Sequence, residues 1–261
     1  MSELNQMNIY AMLSLVATIM TLIVGLFVLS RGARVRLNRL FFWVMLALAL
    51  WGTGEFIMRV ANSEASARWG SLIAGPGWCF SGGLFLLFVL VFTEHERASR
   101  NPAVHVAVFT PGIVFLVLLW STDLIIKGFT ESYWGYSEIR GVLRVPSQLY
   151  VVILVIAAIL LLYRYRQVSS GNKRASAGYV LVAALIMVAV GLVTDIALPL
   201  LDIRMVELPL FTCTIMALII AYAINRRGFL STIAGTLGGT IISNINEAVL
   251  VTGSEGTIET V

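Results

Sequence analysis

Seven apolar stretches divide the chain, roughly at residues 9–29, 40–61, 71–92, 103–121, 149–165, 175–198 and 208–224. A helix crosses the hydrocarbon core of a bilayer with about 20 mostly apolar residues. Inside lipid every backbone N–H and C=O must be bonded within its own helix or within a closed barrel. A barrel strand alternates apolar and polar positions, and runs such as 151–162 do not alternate. The pattern predicts an all-α membrane protein, a seven-transmembrane helix bundle over residues 1–224.

Composition agrees. Hydrophobic residues make up 59% of the 261 positions and charged residues only 12%. Water-soluble domains carry roughly 25% charge, so the solvent for most of this surface is lipid. The first eight residues hold no Lys or Arg, so the first apolar run reads as a retained helix and not as a cleaved leader.

The basic residues give the bundle a direction. Arg31, Arg34, Arg36, Arg39, Arg97, Arg100, Arg164, Arg166, Lys173, Arg174, Arg226 and Arg227 all fall in one set of connections, 12 of the 18 Lys and Arg. Short basic loops stay in the cytoplasm. The expectation is an N-terminus outside and a C-terminus in the cytoplasm, in a multi-pass protein of the cell (plasma or inner) membrane. The net charge of +4 follows from this loop bias and points to no nucleic-acid partner.

One connection is long. Residues 122–148, on the predicted outer side, hold Phe129, Tyr133, Trp134, Tyr136, Arg140 and Arg144. So many aromatics imply an ordered loop, either a lid at the headgroup level or a direct ligand contact through Trp134 and Tyr136. Pro146 marks the start of the fifth span. The third span concentrates small residues at Gly75, Gly77, Ser81, Gly82 and Gly83 around Pro76, which suits close helix packing first and a hinge second.

Charge inside a span costs about 2.5–3.5 kcal/mol on insertion scales, so it faces the bundle interior. Glu55 and Arg59 sit four apart in the second span, on one face with Trp51. Asp195 lies in the sixth span, four residues before Pro199, and Asp123 ends the fourth. All four are biased toward the predicted outer leaflet. They read either as structural charges that neutralise one another or as a polar cavity for a small extracellular or membrane ligand. No acidic relay continues toward the basic side, which speaks against a proton or ion pathway.

Several chemistries are absent from the sequence. It holds no HExxH, GxSxG or CxxC, and Gly235–Gly239 lacks the Lys-Ser/Thr of a phosphate-binding loop. Cys79 and Cys213 lie in apolar runs, and His95 and His105 are too sparse for a metal site. A retinal Schiff base requires a lysine in the last span; residues 208–224 have none. No cofactor, metal site or catalytic residue is expected.

After residue 224 the composition changes. Residues 225–243 form a mixed linker, weakened as a helix by Gly235, Gly238 and Gly239. Residues 248–252 and 257–261 read as two short strands around a Gly-Ser-Glu-Gly turn. The run from Ile245 to Ile258, I-x-E-A-V-L-V-x-x-x-x-G-x-I, resembles the opening strands of a PAS domain, so 244–261 is expected to be its truncated start. With Trp134–Tyr136 and the TDIALP of Thr194–Pro199, the chain resembles the N-terminal seven-helix sensor region of membrane histidine kinases. The resemblance implies a sensory module without enzymatic activity of its own, passing a stimulus to a cytoplasmic output domain, and a homodimer formed through that domain. The alternative reading is a small transporter or channel; the third span is broken by Gly and Pro, but no matching segment appears in the other half.

Overall fold

The computed structural model describes residues 9–198, 201, 211–225, 251–252 and 258–260. Helices α1 (Ile9–Ser30), α2 (Arg36–Val60), α3 (Glu64–Phe92), α5 (Pro102–Ser121), α6 (Arg144–Val168) and α7 (Gly171–Gly191) are each long and apolar enough to cross a membrane. A short helix, α4 (Glu96–Arg100), precedes α5. The seventh expected segment is an apolar helix, α8 (Phe211–Asn225), shorter than the other six.

Local chemistry explains boundaries that hydropathy misses. Helix α3 begins well before the apolar run at 71 because Ser63, the residue before Glu64, forms a reciprocal capping box with Ser66 in the first turn. Asn101 caps α5 by accepting a hydrogen bond from Ala103 N at 3.0 Å, with Pro102 in the first turn, where a missing N–H costs nothing. Pro146 sits in the first turn of α6 for the same reason.

Helix α3 is the axle of the bundle. Its small residues let other helices approach on different sides, the packing role expected of them. A Cβ at Gly77 would lie 2.5 Å from the backbone nitrogen of Trp51 on α2. One at Gly83 would lie 2.8 Å from Val108 on α5, and one at Gly82 would lie 3.1 Å from Val151 on α6. Phe85, Phe88 and Phe92 then fill the core toward the basic end, against Phe41 and Tyr165. Helix α8 closes the bundle beside α1, where the Thr21 and Thr214 hydroxyls lie 3.1 Å apart. The outward faces carry exposed Ile9, Leu13, Val16, Ile113, Ile153 and Leu160, the surface that lipid requires.

The long connection between α5 and α6 is not an irregular loop. It folds as an antiparallel hairpin, β1 (Ile126–Ser132) and β2 (Gly135–Arg140), with Tyr133–Trp134 at the turn. Sequence reading gave order here but no strands, because alternation is obscured by the half-buried character of both. The opposite end gathers the arginines. There Arg36 donates to Ser99 O at 2.8 Å, and Glu94 accepts from Tyr165 at 3.1 Å and pairs with Lys173 at 2.9 Å.

Beyond α8, β3 (Val251–Thr252) pairs antiparallel with β4 (Ile258–Thr260), matching Val251 to Thr260. The two strands fall inside the stretches the sequence marks as extended. The linker at 226–243 and the turn between the strands lie outside the described residues.

Candidate interhelical ligand site

Helices α2, α3, α6, α7 and α8 do not close completely on one another. They line a partly open cavity of about 150 Å³, a size that holds a benzene-like group when lined by apolar side chains. Along α2 its lining runs from Val44 to Met58, about 21 Å at 1.5 Å per residue. Its lining thus extends over about four turns of α2.

Its two ends differ. Toward the basic end the walls are Val44, Leu48, Phe85, Val155 and Met216. Toward the hairpin end they are Trp51, Glu55, Trp78, Glu138, Arg144 and Gln148. Two ion pairs hold this polar end. Arg59 Nη2 lies 2.9 Å from Glu55 Oε2, with side chains only 4% and 8% exposed. Arg144 Nη2 lies 2.8 Å from Glu138 Oε2, at 14% and 11%. Ser71 donates to the other Glu138 oxygen at 2.7 Å, and the Arg144 guanidinium sits 5.1 Å from the Trp78 ring centroid. Removing one member of such a pair strands a charge in a poorly solvated place, so each pair fixes its partner's position. The Gln148 Oε1 is buried here without a hydrogen-bond partner.

The sequence-predicted residues distribute unevenly around this site. Glu55 lines the cavity, and Arg59 stands behind it as counter-ion. Trp134 is buried in the hairpin turn, donating to Ser137 Oγ at 2.9 Å. Tyr136 is half-buried on β2 opposite Glu131. Neither aromatic is among the residues that line the cavity. Asp123 does not join the cavity at all. It is a surface group, 69% exposed and 3.6 Å from Arg68, because the chain leaves the bundle between α5 and β1. Asp195 falls in a π-helical turn, Leu192–Ala197, that continues α7; its side chain lies outside the described residues. Leu192 of that turn lines the cavity.

Sequence reasoning missed Glu138, Ser71, Trp78 and Gln148 and saw Arg144 only as a loop charge. Glu138 and Arg144 stand six residues apart across a turn, a spacing with no periodic meaning. The usable signal was two charges flanking the start of α6, where the hairpin must rejoin the membrane.

The described helices thus surround a cavity that is apolar toward the basic end and polar toward the hairpin. Over residues 13–233 the chain matches the family described as the N-terminal 7TM region of histidine kinase. The chain belongs to that family. No curated protein matches it. This sensor region is a multi-pass membrane module, and its family is the input part of histidine kinases and not their catalytic part. The cavity, hairpin and π-helical turn all lie within the matched residues.

Proposed function

We propose that this sensor region receives a small ligand or membrane-borne stimulus in the interhelical cavity and passes it through α8 to a cytoplasmic output domain. The observation that supports this best is the cavity's place: its walls come from α2 and α3 on one side and from α6, α7 and α8 on the other. A ligand bound there favours whichever separation of these two groups fits it, and only such differential binding can shift a packing equilibrium. The π-helical turn after α7 adds a second support, since π-turns commonly stand at functional sites and can relax to α geometry.

In this reading residues 208–224 complete a seventh span, the hairpin end faces outside, and the basic end faces the cytoplasm. The hairpin, with Trp134 and Tyr136, is the lid. Glu55 and Arg59 shape the polar end, Asp195 on the π-helical turn is a further candidate ligand contact, and residues 244–261 open a PAS-like domain. The module catalyses nothing itself, and dimerisation belongs to the output domain.

The test is autophosphorylation by the whole chain fused after Val261 to a histidine-kinase output domain, in proteoliposomes. Glu55→Gln, Arg59→Gln and the cavity-filling Val188→Phe should each change the kinase rate relative to the parent. A rate that stays the same in all three folded variants removes the cavity from signalling.

A further inference from the structure

We infer that a groove between α6, α7 and α8 at the basic end binds one anionic phospholipid, its phosphate on Arg166 and Arg174 and an acyl chain along Val182 and Leu218. The site is separate from the interhelical cavity, and no residue lines both. The groove is open and holds about 900 Å³, within the roughly 300–1,000 Å³ of pockets that take whole small molecules.

Its lining changes character with depth. Along α7 it runs from Arg174 through Gly178 and Tyr179 to Val182, about 12 Å at 1.5 Å per residue. Helix α8 adds Tyr222 and, one turn away, Leu218. Because Thr214 sits against Thr21 in the middle of α1, Leu218 lies deeper in the bundle than Tyr222. The Tyr179 and Tyr222 rings meet edge to face with centroids 5.6 Å apart, at one level of the two helices. Tyrosine collects at the headgroup boundary of a bilayer. Below this pair, Val182 is 52% exposed and Leu218 45%, a surface suited to an acyl chain. Above it stand the two arginines. Cation, aromatic and aliphatic groups thus follow one another in the order a phospholipid requires from its headgroup inward.

Charge selects an anion. Among the described residues the carboxylates at the basic end are Glu94 and Glu96, which pair with Lys173 at 2.9 Å and with Arg100 at 3.0 Å. Arg166 and Arg174 are exposed and enter none of the ion pairs among the described residues. Arg166 still has a defined place. It leaves α6 and lies over α7, where a Cβ at Gly178 would stand 3.4 Å from its Nε. Two guanidinium groups from adjacent helices on one groove match a phosphate, which each binds through parallel hydrogen bonds. A soluble phosphate would leave the apolar floor at Val182 and Leu218 uncovered. A phospholipid fills both parts and reaches the groove within the bilayer, as anionic lipids reach basic pockets between spanning helices.

The test uses the purified chain in phosphatidylcholine nanodiscs carrying a trace of phosphatidylglycerol with a diazirine midway along one acyl chain. Phosphatidylcholine with the same diazirine is the reference. The phosphatidylglycerol probe should label Val182 and Leu218 about thirtyfold more than the reference does. Both probes should label the exposed Val106 and Ile113 of α5 alike. Arg166→Gln and Arg174→Gln should each lower the groove preference about fivefold, and together they should abolish it. Both positions are exposed, so these substitutions leave the fold intact. Arg34→Gln with Arg97→Gln removes the same charge from the basic end outside the groove and should leave the preference unchanged. Inorganic phosphate at millimolar concentration should not displace the probe.

Four results would each overturn the inference. Equal labelling of the groove by the two probes means that it holds lipid without regard to charge. A control pair as damaging as the groove pair traces the preference to the overall charge of the basic end. Displacement by inorganic phosphate makes the occupant a soluble phosphate. Label at Val106 and Ile113 but none at Val182 and Leu218 means that something other than lipid covers the groove. All four leave the reading of the interhelical cavity untouched, since the substituted residues do not line it.

Discussion

The hairpin turn at Gly135 rests on the backbone of Arg59, so closely that a Cβ on residue 135 would lie 2.5 Å from the Arg59 Cα. Gly135 also holds a φ of +112°, a conformation that L side chains rarely adopt. One residue thus satisfies both the turn and the contact that seats the hairpin on α2. Tyr133, its neighbour in the turn, reaches across to α1, with its ring 6.0 Å from that of Tyr10.

Gly135→Ala should therefore unseat the hairpin without unfolding the bundle, at a cost of about 1–3 kcal/mol localised to residues 126–140. Hydrogen exchange of the β1 and β2 amides would report it as faster exchange there, with α2 and α3 protection unchanged. Unaltered hairpin protection would mean that the Arg59 contact is not what holds the lid.

The Glu138–Arg144 pair joins the hairpin to α6 across the cavity mouth. Glu138→Leu or Arg144→Met alone should destabilise the chain by about 3 kcal/mol, because each leaves a mostly buried charge without its partner. Glu138→Leu with Arg144→Met should recover most of that loss. Denaturation of the single and double variants in one detergent forms the cycle, and simple additivity would argue against a coupled pair.

Small residues on α3 differ in how much room they leave. At Gly77 a methyl group meets backbone, the Trp51 nitrogen at 2.5 Å, which cannot move aside by rotation. At Gly82 the nearest atoms, a Val151 methyl and the Val151 carbonyl oxygen, stand farther off at 3.1 Å, so a shift of a few tenths of an ångström relieves the contact. Gly77→Ala should lower stability by about 2–3 kcal/mol and Gly82→Ala by less than about 1 kcal/mol. Their unfolding midpoints, measured side by side, decide whether α2–α3 contact is the tighter seam.

Topology has its own test. A reporter fused after Ser137 should sit outside the cell and one fused after Tyr165 in the cytoplasm, following the distribution of arginines. A cytoplasmic signal at Ser137 would invert the arrangement and place the lid on the output side.

Much of this protein was readable from residue order alone. Long unbroken apolar runs determine membrane-spanning helices, because lipid offers the backbone no other partner. The Glu55–Arg59 pair was readable too, since four residues on one helix bring two side chains to the same face. So was the clustering of small residues at the α3 packing surfaces. These are local facts, set by the period of the helix and the composition of the chain.

Tertiary structure decided the rest. It moved Asp123 to the surface and brought Glu138 against Arg144 and Ser71, groups that no helical spacing connects. It turned an aromatic loop into a hairpin seated on Arg59 through Gly135. The cavity with its unpartnered Gln148 exists only where five helices fail to fill the space between them. A void has no residues of its own, so it leaves no pattern in a sequence; it is set by how far apart the packed surfaces of α2, α3, α6, α7 and α8 come to rest.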